Sequence, residues 1–426
     1  MRYTNRLFYL NLILILFIQN ISSQSQSLPS IIEIPDYNFI DNNKSKFIVP
    51  EKGDSTLINN FFTKYDILLK KRQGQLNILH IGGSHVQAGI LTDQIRINLN
   101  NEAFSTTRGF VFPYRVAHTN NPYSYSVSYK GKWKSERNVK RTYNVQLGLG
   151  GIAVYTNDVD AEIKIDLPTT KNVVNNYHQT IKLFGYVKDG ADWAVMPVIK
   201  TEAGAKRVFY PNYDYIGNSY YTFELRGNFN KFNVYFQQLD TVVHDFVLTG
   251  FVVENSEPGI VYHAIGVNGA AVHSYLGCER FQDEVDAIKP DMVVFGIGIN
   301  DAVPFDFNVD TFKNNYNSLI LKIKQSSPNC VFVFITNNDS YRRLKRRRYA
   351  PNTNAIKVQK AMYSLALENK GVVFDQFEIM GGLRSMRKWQ EAGLAKRDKI
   401  HFTSRGYQLM GDLFYNAFVN YYLENK

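Results

Sequence analysis

Four short runs of strand length in this sequence are largely apolar: Leu76 to Ile81 (LNILHI), Met292 to Gly298 (MVVFGIG), Cys330 to Thr336 (CVFVFIT) and Val372 to Phe377 (VVFDQF), with Asn77, His80, Asp375 and Gln376 the main polar exceptions. A strand with one wet face alternates polar and apolar residues, whereas continuous runs of this length are what strands buried on both faces require. Between them the spacing changes to that of helices, with Ala88, Leu91, Ile95 and Leu99 after the first run and Phe312, Tyr316, Leu319, Ile320 and Ile323 after the second. A last helix is predicted from about Ser404 to Leu423. Doubly covered strands joined by helices imply an α/β fold with a parallel, doubly wound sheet.

The middle of the chain has a different character. From about Pro122 to Glu254, β-branched and aromatic runs such as IKLFGYV, YYTFEL, FNVYFQ and FVLTGFVV are separated by Gly, Asn and Asp turns, the pattern of an all-β sandwich. The division expected is a signal peptide over 1–23, a leader on the surface over 24–64, an α/β domain split into 65–120 and 256–426, and an inserted β-sandwich over 121–255. The signal is read from Arg2 and Arg6 ahead of the apolar run Leu7 to Ile18, with Ser22 and Ser23 following. It places the chain in the periplasm or outside the cell. No later stretch reaches the ~18 consecutive apolar residues of a membrane span, so no stable membrane insertion is expected.

The formal charge of +11 becomes +9 once Arg2 and Arg6 are removed with the signal. Arg342, Arg343, Lys345, Arg346, Arg347 and Arg348 concentrate much of that excess, either as a solvated face or mobile loop or as a patch with affinity for an anionic envelope polymer. Nucleic acid is a poor partner for an exported chain. Cys278 and Cys330 are too few for a disulfide framework or a cysteine-rich metal site, and read as one bridge or two small buried side chains. His80, His85, His263 and His273 lack ligand spacing and acidic partners, so no metal is expected. Tyr and Phe of the insertion fit either the sandwich core or a face that stacks on sugar rings.

In open α/β sheets the ligand crevice lies outside the carboxyl ends of the strands, and three segments are placed to reach it. Gly82-Gly83-Ser84-His85 joins a strand to a helix, so Ser84 is a nucleophile at a sharp turn or a plain helix N-cap. Gly298-Ile299-Asn300-Asp301 offers an amide to a developing oxyanion or forms an Asx turn. Asp398-Lys399-Ile400-His401 sets a carboxylate three residues before an imidazole, which orients a catalytic base or makes an ordinary loop ion pair. Their order, each at an element boundary, is what the catalytic reading explains and the separate structural readings do not.

These blocks resemble the SGNH/GDSL hydrolases: IGGSH with Ser84, GVNGA with Gly269, GIND with Asn300, and DKIH with Asp398 and His401. The similarity covers about Asn77 to Phe112 and Ile260 to the C-terminus. Ser84-His85-Val86-Gln87, the site of the insertion, TNNDSY at 336–341 and the segment 380–407 look like the GDSH branch that includes bacterial peptidoglycan O-acetylesterases, which carry an inserted β-sandwich resembling carbohydrate-binding modules. The family's usual Asp before the nucleophile is Gly83 here.

The resemblance implies a flavodoxin-like sheet and a serine esterase removing O-acetyl groups from an envelope or other glycan. Ser84 would be nucleophile, His401 base and Asp398 its orienting carboxylate. The Ser84 and Gly269 backbone N–H groups and the Asn300 amide would meet the oxyanion, with no cofactor. The alternatives are an O-acetyltransferase using the same triad and a non-catalytic glycan-binding protein that has kept the fold.

Overall fold

The computed structural model describes residues 28–168, 178–201, 207–212, 220–344 and 348–426. The expected signal peptide over 1–23, and Lys345, Arg346 and Arg347 of the basic run, lie outside the described residues.

The central sheet has seven strands: β1 (Phe47–Ile48), β2 (Gln75–Gly82), β3 (Ser105–Thr107), β4 (Gly259–Gly266), β5 (Met292–Gly296), β6 (Val331–Ile335) and β7 (Val372–Phe374). Their spatial order is β1-β7-β6-β5-β2-β4-β3. All neighbours are parallel except β1, which pairs antiparallel with β7 and makes the sheet mixed. After β1 at one edge the chain enters the middle at β2, runs to β3 at the opposite edge and back to β4 beside β2, and then crosses to β5 on the other side of β2. That reversal between β2 and β5 is where open α/β sheets form a ligand crevice.

The continuous apolar runs are explained by two cores, one on each face. In β5, Val293 and Phe295 pack into the core that contains Phe312, Tyr316 and Leu319 of α4 (Val309–Ser326) and Val358 and Met362 of α5 (Asn354–Glu368). The alternate residues Met292 and Val294 pack into the other, with Phe61 and Tyr65 of α1 (Thr56–Lys71), Ile95 of α3 (Ile90–Leu99) and Phe418 of α6 (Ser404–Glu424). With each such side chain contributing about 1.5–3 kcal/mol on burial, both faces of every central strand are committed, and a one-residue slip would exchange the two cores.

Three details differ from the sequence reading. The leader does not merely lie on the surface: Phe47 is buried against Phe414, Ile32 exchanges two backbone–side-chain hydrogen bonds with Asn416 at 2.8 Å, and β1 extends the sheet. Being largely extended, much of it shows no period, while α1 starts at Thr56, inside the range assigned to the leader. The helix after the first run is broken: α2 (Ser84–Gln87) and α3 are separated by Gly89 at φ +78°. The β region also begins upstream of 121, because Gly109–Val111 pairs with Phe251 to Val253.

That region forms two antiparallel sheets, and rings of one pack on rings of the other, as in Phe232–Phe251 (5.7 Å) and Phe236–Phe246 (4.9 Å). Most of its aromatics are core, while Tyr123, Trp193 and Tyr210 are exposed. Its apolar interior is continuous with the α4/α5 face of the central sheet. Glu284 of the helix Phe281–Ile288 crosses that junction, accepting hydrogen bonds from the Leu149 N–H and the Thr249 hydroxyl. Cys278 and Cys330 are separate buried thiols. Among the described residues no helix is long and apolar enough to cross a membrane.

Candidate active site

Strand β2 delivers Ser84 to the switch point. The chain turns at Gly82-Gly83 and enters α2 at once, the Gly83 carbonyl accepting from the N–H groups of Val86 (3.2 Å) and Gln87 (3.0 Å). The turn is tight because the end of β4 presses on it: a Cβ on Gly266 would lie 2.7 Å from the Gly83 carbonyl oxygen and 2.5 Å from the Gln87 nitrogen. Only glycine permits that approach.

Residue 401 arrives from the loop before α6. Ser84 Oγ lies 2.8 Å from His401 Nε2, and His401 Nδ1 lies 2.9 Å from Asp398 Oδ2. Because a carboxylate only accepts, Nδ1 carries the proton and Nε2 is left to accept from the hydroxyl. The other Asp398 oxygen accepts the backbone N–H groups of Ile400 (2.9 Å) and His401 (3.0 Å). Burial alone would raise the Asp398 pKa, but the hydrogen bonds from the His401 ring and from these two N–H groups outweigh it and hold the carboxyl well below the ordinary range. It is therefore a fixed anion at the back of the imidazole.

This loop is strained and braced. Lys399 adopts φ +58°, and the segment after β6 holds it: Asn338 Nδ2 donates to the Ile400 carbonyl (3.1 Å) and the Tyr341 N–H to the Lys399 carbonyl (3.0 Å). The Lys399 ammonium lies over the rings of Tyr341 and Tyr349 at 5.0 and 5.5 Å. The TNNDSY segment thus supports the histidine loop from below.

Gly269 and Asn300 reach the same cleft as Ser84 and His401. Gly269 has φ +86°, a conformation that a side chain disfavours, and among the described residues neither its N–H nor that of Ser84 has a hydrogen-bond partner. Asn300 Nδ2 gives one hydrogen to the Ala270 carbonyl at 2.8 Å, which fixes the amide and leaves its second hydrogen free. Asp301 accepts from the Val272 N–H at 3.1 Å, fastening the loop that carries Gly269. A Cβ on Gly83 would meet the Ala270 carbonyl oxygen and Asn300 Nδ2, each at 3.5 Å, in ordinary van der Waals contact.

Gln87, which the sequence offered only as part of the Ser84-His85-Val86-Gln87 block and with no role of its own, joins three parts of the site. Its Oε1 accepts the Asn268 N–H (2.7 Å), and its Nε2 donates to the Thr119 hydroxyl (2.9 Å) and the Asn120 carbonyl (3.0 Å). Its place one helical turn after the nucleophile was the signal available.

The histidines weighed as metal ligands are dispersed. His80 bonds Tyr262 (2.9 Å), His85 bonds Tyr407 (2.8 Å), and burial lowers the pKa of each, and of His263, to about 3. His273 is exposed. Among the described residues no group of three or more His, Cys, Asp or Glu is arranged to hold a metal. In the basic run, Tyr341–Arg343 pairs with Tyr349–Pro351, and Arg342 donates to the Ala302 carbonyl at 2.9 Å with its guanidinium 4.7 Å from the Phe305 ring centre. Arg342 is thus fastened at the Asn300 loop rather than solvated alone.

Residues 248–409 match the profile of the GDSL-like Lipase/Acylhydrolase family. A solved peptidoglycan O-acetylesterase superposes with a TM-score of 0.67 at 18% identity, over 85% of this chain and 96% of that one. The fold is that of an SGNH/GDSL hydrolase. Local likeness extends to the acetyl xylan esterase AlAXEase (TM-score 0.30, 20% identity, 37% of this chain and 81% of that one). It also extends to a GDSL-like lipase from Bacteroides thetaiotaomicron (TM-score 0.28, 21% identity, 36% and 72%). No curated protein matches the chain in sequence. On the SGNH/GDSL fold the expected blocks occupy one cleft: Ser84 after β2, Gly269 after β4, Asn300 after β5 and His401 before α6.

Proposed function

We propose that the protein is an exported serine esterase that removes O-acetyl groups from a glycan through an acyl-enzyme on Ser84. The observation that carries this reading is the unbroken relay Ser84 Oγ–His401 Nε2–Asp398 at 2.8 and 2.9 Å, opening into a cleft with the Gly269 loop and the Asn300 amide. The glycan is favoured by the inserted β-sandwich and by the shared fold with a peptidoglycan O-acetylesterase.

In this mechanism the Ser84 oxygen attacks the ester carbonyl while His401 Nε2 takes its proton. The tetrahedral oxyanion is met by the N–H groups of Ser84 and Gly269 and the second amide hydrogen of Asn300. Collapse breaks the C–O bond to the sugar, and His401 returns the proton to the leaving hydroxyl. Water, deprotonated by the same imidazole, attacks the acetyl-Ser84 ester, and acetate leaves as the proton passes back to Ser84. Asp398 stays ionised throughout and stabilises the imidazolium.

The test is acetate release from O-acetylated peptidoglycan and acetylated polysaccharides by the wild-type protein and by Ser84→Ala, with an acceptor sugar included in a parallel arm. The reading expects release that falls by several orders of magnitude in Ser84→Ala. Transfer to the acceptor in place of release would make the protein a transferase, and equal inertness of both proteins on every ester would make it a binding protein.

A further inference from the structure

The cleft around Ser84 has a volume of about 690 Å³, far more than an acetyl group needs and within the ~300–1,000 Å³ of sites that enclose much larger ligands. One part of its rim comes from the segment leading into the β-sandwich, where Tyr123 is 88% exposed while Tyr114 and Tyr125 nearby in sequence are buried. Hydrogen bonds and one close packing contact hold that stem. Gln87 grips the Asn120 carbonyl at 3.0 Å, and Asn121 Nδ2 donates to the carbonyls of Pro122 (2.9 Å) and Tyr125 (2.8 Å). Pro122 packs so closely on Gly89 that a Cβ there would lie 2.6 Å away. An aromatic ring exposed on a fixed backbone offers a stacking face at little ordering cost.

The histidine loop contributes Lys396 to the same cleft. Its N–H donates to the His401 carbonyl at 2.8 Å and its own carbonyl accepts from the Lys399 N–H at 3.1 Å, so the ammonium leaves from a pinned backbone. No Asp or Glu lines the cleft, and among the described residues Lys396 has no carboxylate within ion-pairing distance. Asp398, the nearest acid in sequence, is committed to His401. A cleft wall with a cation and no anion selects negative charge in whatever fills it.

We propose that the cleft takes a glycan bearing carboxylate groups, with a sugar ring stacked on Tyr123 and a carboxylate paired with Lys396. This rests on the esterase reading for its acetyl group, and it names the class of polymer that carries the ester: a uronate chain or a peptidoglycan strand with its lactyl and peptide carboxylates.

Calorimetric titration with oligogalacturonate, a muropeptide and a neutral xylo-oligosaccharide at low salt tests it, using wild-type protein, Lys396→Gln, Lys396→Arg and Tyr123→Ala. At least one acidic ligand binds about tenfold tighter than the neutral one. Lys396→Gln abolishes that preference and Lys396→Arg keeps it, while Tyr123→Ala weakens all ligands that bind. Which acidic ligand binds identifies the source of the carboxylate. Equal binding of acidic and neutral ligands, or a preference that survives in Lys396→Gln, overturns the proposal. Wild-type turnover of p-nitrophenyl acetate, measured alongside, separates the two readings: turnover without acidic preference removes this one, and acidic preference without turnover removes the esterase.

Discussion

Gln87 and Asn268 are joined by a 2.7 Å hydrogen bond from the Asn268 N–H to the Gln87 side-chain oxygen, so the helix that starts at Ser84 also holds the loop that carries Gly269. The same side chain holds Thr119 and Asn120 on the approach to the β-sandwich. The insertion is thereby coupled to the Gly269 loop through one buried amide.

Replacing Gln87 by Ala is expected to lower kcat on p-nitrophenyl acetate by about 10- to 100-fold, less than the ~10²–10³ lost with an oxyanion donor itself. The Asn268 N–H and the Asn120 carbonyl lose the Gln87 side chain, so stability falls by about 1–3 kcal/mol. Steady-state kinetics beside urea unfolding separates the two effects, and a kcat unchanged in folded Gln87→Ala would show that the loop holds without it.

At Gly269, φ is +86°. Gly269→Ala is expected to cost about 1–2 kcal/mol in strain, which the loop relieves by turning its N–H away from the cleft. The measurable result is a fall in kcat larger than any rise in KM for a small ester.

Asp398→Asn keeps the shape of the loop but removes the anion, and an amide that donates to Nδ1 would stabilise the wrong tautomer. A drop of roughly 10³–10⁴ in kcat is expected, with the melting temperature little altered. Kinetics and thermal denaturation of the same preparation check both halves.

Glu284 makes stability depend on pH. Burial at the junction with the β-sandwich raises its pKa from 4.5 to about 7, despite the opposing hydrogen bonds from Thr249 and Leu149. Between about pH 4.5 and 7 the folded chain keeps this proton while the unfolded chain releases it. The contribution is therefore present in full below that window and is lost as pH rises through it, by on the order of 3 kcal/mol. Thermal denaturation of Glu284→Gln across pH 4.5–8 should show a flatter profile than wild type, and parallel profiles would contradict the assignment.

The parts of the fold legible in the sequence were those whose signal is local. β5 and β6 show as unbroken apolar runs because both faces are covered, and α4 shows as a periodic stripe. The Ser84, Asp398 and His401 blocks stood out because they fall in order at element boundaries, and the structure sets their side chains in hydrogen-bonding succession. What escaped depends on partners distant in sequence. The leader looks featureless because Phe47 finds its place only against Phe414, and β3 is three residues long. The role of Gln87 within its block did not show, since its partners at 119, 120 and 268 are distant in sequence and meet it only in the fold.

The most direct test of the central claim is to expose the folded protein to a fluorophosphonate and map the modified peptide by mass spectrometry. An activated hydroxyl attacks phosphorus irrespective of the natural substrate, so the label should fall on Ser84 and be lost in His401→Ala. A folded wild-type protein that hydrolyses esters without labelling at Ser84, or labels equally well in His401→Ala, would contradict the account.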